Sequence, residues 1–191
     1  MDGVPQPDQG PRAARIRGGT SITSAFTEAT VVSARSVTRI PDGVPDPAAA
    51  AFGVAHRTAY HVLRSVAALR PGERLIVLGA GGGGDLAEPA LRTLGYGGRF
   101  VTVGYASGTV PKIPLNLVPL KGCRVLGFQA RSFGTNEPKL ARRDEDELLA
   151  LLAAGQARPH IGATFTLAET AAALRHVADG KAIGKVVLEI G

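Results

Sequence analysis

A single cysteine and no tryptophan set the first limits on this chain of 191 residues. Cys123 alone excludes an internal disulfide and every zinc site built on paired thiolates, and its setting in Lys121-Gly122-Cys123-Arg124-Val125-Leu126 is that of a packed thiol at the start of a strand. Without tryptophan and with only three tyrosines, a stacking platform for single-stranded nucleic acid is poorly supplied. The formal charge of +6 is spread over scattered arginines, and Arg142-Arg143 are followed at once by Asp144, Glu145, Asp146 and Glu147. No basic stripe results, so nucleic acid is not an expected partner. Apolar runs approaching the roughly 20 residues of a membrane helix are also missing. The start, Met1 to Gly10, is polar and proline-containing where a secretory signal would be apolar, so a cytoplasmic location is expected and no membrane partner.

What is present points to an α/β chain that can bury roughly 70% of its unfolded surface. Residues 1–21, with Pro5, Pro7, Pro11, Gly3, Gly10, Gly18 and Gly19, have little to bury and read as a disordered tail. From Ile22 to Ile40 short Thr-, Val- and Ser-rich stretches are strand-like, and Asp46-Pro47 opens a helix to about Phe52, followed by a second from Thr58 to Ala68. Arg74-Leu75-Ile76-Val77-Leu78 is a continuous apolar run of the kind buried on both faces of a parallel sheet. Helix is expected at Leu86–Leu94, with Pro89 in its first turn or so, at Asp144–Ala154, with the acids at its N-terminus, and at Leu167–Ala178. Further strands are expected at Arg99–Val103, Arg124–Phe128 and Gly184–Ile190, with an extended segment beginning at Arg158-Pro159-His160-Ile161.

Gly79-Ala80-Gly81-Gly82-Gly83-Gly84, between the apolar run and a helix, satisfies G-x-G-x-x-G through Gly79, Gly81 and Gly84. Such a loop brings backbone amides and a helix N-terminus to a pyrophosphate. Gly84-Asp85 is not the Gly-Lys-Ser or Gly-Lys-Thr of a nucleoside triphosphatase loop. An adenosylmethionine-binding loop and a glycine turn that only lets strand and helix pack remain open, and Asp85 would repel a phosphate at the helix start. Twenty residues on, Gly104-Tyr105-Ala106-Ser107 stands where a ribose-holding acid is wanted. Tyr60 and His61 read as helix-packing residues, and His56, His160 and His176 are too dispersed for a metal-ligand set.

Several segments in order resemble one family: Ser24-Ala25-Phe26-Thr27-Glu28, Ile40-Pro41-Asp42-Gly43, Thr58-Ala59-Tyr60-His61, Leu69-Arg70-Pro71-Gly72-Glu73, Val77-Leu78-Gly79-Ala80, Gly98-Arg99-Phe100-Val101, Gly104 to Gly108, Pro111-Lys112-Ile113-Pro114 and Gly184 to Leu188. Together they look like the medium-chain dehydrogenase/reductases in their zinc-independent quinone oxidoreductase branch. The resemblance implies a reduced Rossmann-like parallel sheet over residues 46–157, with remnants of a GroES-like β domain in 22–45 and 158–191. It also implies NADPH, or NADH, as cofactor, a small-molecule quinone or enone as acceptor, no metal, and a possible homodimer. By the same resemblance Thr58 and Phe128 would lie near the nicotinamide, Gly79, Gly82 and Gly83 near the pyrophosphate, with Gly81 and Gly84 in the same loop. Gly104, Tyr105 and Ser107 would run along the ribose and Lys185 near a phosphate.

Two departures qualify the likeness. Where the family has a glycine before the threonine, this chain has Arg57. Gly83-Gly84-Asp85-Leu86 joins the first cofactor strand to a late helix, leaving out strand and helix units that hold the adenosine ribose in the family. The expectations are therefore an NAD(P)H-dependent quinone or enone reductase or, alternatively, a non-catalytic remnant or interaction module that has lost cofactor binding.

Overall fold

The structure, a computed structural model, describes residues 16–18, 26–32, 37–78, 83–105 and 108–190. In chain order its elements are β1 (Ile16–Gly18), β2 (Val37–Arg39), α1 (Asp46–His61), a π-helical turn (Val62–Val66), α2 (Gly83–Thr93), β3 (Arg99–Thr102), α3 (Leu117–Lys121), β4 (Arg124–Gly127), α4 (Ala130–Asn136), α5 (Pro138–Ala153), β5 (Ile161–Thr166), a 3-10 turn (Leu167–Glu169), α6 (Thr170–Ala178) and β6 (Lys185–Glu189). Two compact units are formed: Met1–Arg57 with Glu147–Gly191, and Thr58–Asp146. The divisions fall inside α1 and α5.

In the first unit β5 and β6 run parallel, and β1 and β2 antiparallel. The pairing of Ile16–Gly18 with Val37–Arg39 corrects the expectation of a structureless tail through residue 21: three residues opposite a β-branched partner strand suffice for a short ladder. The rest of that tail lies outside the described residues. Ile161 and Ala163 of β5 face Lys185 and Val186 of β6, so Gly162 is an extra residue in the ladder. A Cβ at Gly162 would collide with the carbonyl of Ile183, which is why a residue without a side chain stands there. Thr166 begins the 3-10 turn with a reciprocal cap, Glu169 Oε2 accepting from the Thr166 amide and hydroxyl at 2.8 Å each.

The second unit is built on the parallel pair of β3 and β4, in register from Arg99 with Arg124 to Thr102 with Gly127. Leu91 of α2, Leu117 of α3 and Cys123 form its buried centre, packed by Leu94, Phe100, Ile113 and Val118. The thiol is therefore a core group, as its strand-start setting implies. α3 ends at Gly122, whose φ of +56° and closeness to the Tyr96 ring leave no room for a Cβ.

Parallel pairing between strands separated by helices confirms the α/β class. Three elements correct the sequence expectations. The two helices anticipated at residues 47–52 and 58–68 are one, because Gly53 to Arg57 contains nothing that stops a helix and Gly53 costs only about 1 kcal/mol there. α5 starts at Pro138, a favoured first position, so Asp144 to Glu147 sit mid-helix and not at its N-terminus. Pro89 is inside α2, beyond its first turn, because the helix already starts at Gly83.

The largest correction concerns Arg74–Leu78, which is not a strand. Leu75, Ile76 and Val77 are 50%, 66% and 79% exposed. An apolar run becomes a buried strand only when ladder partners flank it, and β3 and β4 pair with each other without it. No helix of the described residues is long and apolar enough to cross a membrane.

Leu91→Ala is expected to cost about 3 kcal/mol, because Leu91 is fully enclosed by the α2–α3 core. A lower urea midpoint with an unchanged slope would show it.

Candidate functional site

The most organised polar chemistry of the second unit surrounds one carboxylate. α1 ends at His61, and the π-helical turn that follows sets Ser65 four residues on. The turn ends with Ala67 donating to the Val62 carbonyl at 2.7 Å, and Ala68 takes a left-handed φ of 49°. That is an uncommon conformation for a residue with a side chain.

From α5, Asp144 reaches both residues. Ser65 Oγ donates to its Oδ2 at 2.5 Å, and His61 Nδ1 lies 3.0 Å from the same oxygen. Arg143 donates to Oδ1 through Nε and Nη2 at 3.1 and 2.6 Å, and its Nη2 also reaches Ser65 Oγ at 2.8 Å. Asp144 is fully buried and His61 nearly so.

Burial pushes the Asp144 carboxyl up, but the hydrogen bonds from Ser65, His61 and Arg143 outweigh it, and the group is held below the usual carboxylate range. With Oδ2 as acceptor, Nδ1 carries the proton of His61 and Nε2 is left as the outer nitrogen of the ring. Aromatic rings flank it: Phe133 of α4 with centroids 5.0 Å away and Phe128 at 6.1 Å, themselves 5.6 Å apart. The arrangement holds one imidazole in one tautomer beside an apolar wall.

The sequence-derived candidates fall in several places. Phe128 is buried at the end of β4 against His61, and Thr58 is half-buried one turn before His61 on α1, so these two share the unit and neighbourhood of the network. Gly104 and Tyr105 are exposed beyond β3, the Tyr105 hydroxyl accepting from Thr102 Oγ1 at 2.9 Å. Lys185 opens β6 in the other unit, its amide bonded to the His160 carbonyl at 2.8 Å. Gly83 and Gly84 are the first residues of α2 and not loop. Gly79, Gly81, Gly82 and Ser107 lie outside the described residues.

Sequence reasoning treated His61 as packing, which holds for its ring, and missed its bond to Asp144 across 83 positions. The available signal was an Arg-Asp pair, Arg143-Asp144, on a helix whose preceding turns it had not extended far enough.

A shallower groove of about 540 Å³ lies between Glu88, Pro89 and Arg92 of α2 and Thr109 to Lys112. Arg92 is held there by Glu88, Nη2 to Oε1 at 2.6 Å.

Residues 52–188 match the family profile of the zinc-binding dehydrogenases. The quinone oxidoreductase-like protein 2 of Bos taurus is 37% identical over 108 residues, 56% of this chain and 31% of that protein. This chain thus spans about a third of the relatives' length. A polyketide synthase of Streptomyces halstedii is 25% identical over 242 positions, covering 95% of this chain and 4% of its own. That alignment is longer than this chain, so the relative carries residues inside the matched span that this chain lacks. Among solved structures, a quinone oxidoreductase of Thermus thermophilus, also solved with NADPH, has a TM-score of 0.77 at 24% identity over 90% of this chain and 75% of its own. The likeness is one of fold. Zinc does not fit the donor set: among the described residues no three His, Cys, Asp or Glu are grouped to hold a metal ion.

A depressed carboxyl adds stability above its unfolded value, about 3.9, and loses it as pH falls through the lower folded value. The melting temperature should therefore drop on acidification below about pH 4. Asp144→Asn, which removes the buried charge that Ser65, His61 and Arg143 answer, should cost about 2 kcal/mol near neutrality and flatten that acid limb, both readable in thermal melts across pH.

Proposed function

Since this chain belongs to the zinc-binding dehydrogenase family, as a quinone oxidoreductase-like member of the medium-chain dehydrogenase/reductase superfamily, we propose that it works as a binding module of that family and not as a self-sufficient reductase. The exposure of Leu75, Ile76 and Val77 carries the proposal. A dinucleotide fold holds its pyrophosphate on the turn that leaves the first strand of a packed parallel sheet, and the sheet fixes that turn. Here the run leading to the glycines has solvent on the sides where neighbouring strands belong, so the residues present do not fit NADPH as a finished platform.

In this reading 46–157 is a shortened cofactor domain, and 22–45 with 158–191 the remainder of a catalytic barrel. A cytoplasmic setting goes with it, supported by the free, buried Cys123.

One observation favours the alternative, NADPH-dependent reduction of a quinone or enone. Thr58 and Phe128, the residues the resemblance sets beside the nicotinamide, stand near an imidazole fixed by Asp144. NADPH, when bound, would supply the hydride. The chain's part would be to shield the acceptor with Phe128 and Phe133 beside His61, while solvent gives the proton that the reduced oxygen takes up. Geometry decides such a transfer, since a displacement of about 1 Å costs on the order of a hundredfold in rate.

Thermal shift with NADPH and with NADH separates the two. A nucleotide at a hundredfold excess over its dissociation constant adds about 2.7 kcal/mol. No shift at millimolar nucleotide is the expected result, and a saturable shift with turnover of a simple quinone would replace the module reading with the reductase one.

A further inference from the structure

The groove between α2 and Thr109–Lys112 lies within the second unit, and none of its lining residues takes part in the Asp144 network. Its volume of about 540 Å³ is that of a small-molecule site. One core sets both of its walls. Glu88 and Pro89 stand four and three residues before Arg92, so the three share a face of α2, while Ala87 and Leu91 of the same helix are buried. On the other wall, Pro111 has its φ locked by its ring, and Ile113 packs against the buried cluster of Leu91, Leu117 and Cys123. Arg92 directly follows Leu91, and Lys112 directly precedes Ile113. The spacing of the two cationic residues is therefore fixed at the backbone by core packing.

The charges of the groove are only partly matched. Glu88 Oε1 accepts from Arg92 Nε at 2.9 Å and from Nη2 at 2.6 Å. That pair steadies the guanidinium by its side edge and leaves the Nη1–Nη2 end as a second planar fork, of the shape a carboxylate fits. Lys112 is exposed, and its ammonium makes no ion pair or hydrogen bond among the described residues. With Glu88 offset by Arg92, the lining keeps the positive charge of Lys112. Thr109 adds a hydroxyl, and Pro89, Val110 and Pro111 add apolar surface, Val110 standing 61% exposed.

We propose that this groove binds a small organic monocarboxylate, with the carboxylate between Arg92 and Lys112 and the apolar body over Val110 and the rings of Pro89 and Pro111. A single negative charge is selected because Glu88 stands in the same groove: a phosphate dianion would meet the two cations but also that carboxylate. A neutral ligand would cover Lys112 without answering its charge. The inference goes beyond the module reading and does not depend on it, since none of the lining residues is among those that the resemblance assigns to a dinucleotide.

An NMR titration of the full chain with hydrocinnamate, followed amide by amide, is the test. Roughly millimolar binding is expected of a ligand this small in an open groove, with saturable shifts at the amides of Arg92, Thr109, Val110 and Lys112. Lys112→Gln and Arg92→Gln should each weaken it by about threefold to fivefold, the worth of one exposed ion pair. Both residues are exposed, so the circular dichroism of the variants should be unchanged. Added salt should weaken binding, because it screens the two cations. Hydrocinnamamide, the same body without the charge, and inorganic phosphate, the charge without the body, should give no saturable shift at the same concentrations. Silence with hydrocinnamate, shifts confined to amides away from the groove, equal binding of the amide or of phosphate, or indifference to both substitutions would each overturn the assignment. A thermal shift with NADPH would overturn the module reading and leave this titration as it is, so the two failures are distinguishable.

Discussion

A carboxylate taken out of water must be matched by donors, and the second unit is arranged around that demand at Asp144. Moving such a group inside costs several kcal/mol even after relaxation. Arg143 answers on one oxygen, Ser65 and His61 on the other, so the end of α1, the π-helical turn and α5 meet at one charge. A hydrophobic contact would tolerate sliding by a fraction of a turn; hydrogen bonds to two defined oxygens do not. The widened helical turn at Val62–Val66 and the left-handed Ala68 are geometries that fixed contacts of this kind can hold in place.

The contrast with Arg74–Leu78 is instructive. Two apolar runs, one around Phe100 and one around Val125, find each other in parallel register, and Phe100 packs against Leu91 and Cys123. A third apolar run, Arg74–Leu78, stays open to solvent. Composition makes a segment able to be a buried strand, but neighbours make it one. The chain lacks residues that a relative carries within the same matched span, and the exposed run precedes the junction where strand and helix units are expected to be missing. Family membership rests on the profile match and the fold, and the exposed run is the apolar stretch of the second unit that β3 and β4 pair without.

Legibility in the sequence followed the range of the interactions involved. β3, β4 and β6 were readable because β-branched and aromatic runs bounded by glycine or lysine specify strands locally. α6 and the body of α2 were readable from helical spacing. The fused α1 and the early start of α5 were misjudged by local reasoning that ended one helix at about Phe52, began another at Thr58 and opened the later one at Asp144. Beyond the adjacent Arg143-Asp144 pair the network was not legible, since Ser65 and His61 lie about 80 positions from Asp144 and no local rule joins them. Of the candidate residues, Thr58 and Phe128 gained a common setting beside His61, while Lys185 belongs to the other unit.

The extra residue at Gly162 has a consequence of its own for the first unit. A regular parallel ladder can in principle slip by two positions and still point its side chains the same way. Here the Ile183 carbonyl occupies the space a side chain at position 162 would need, and every neighbouring position of β5 carries a side chain. Only one alignment of β5 on β6 lets that oxygen meet a bare backbone. The glycine works as a keyway: it admits the two strands in a single setting and refuses the others.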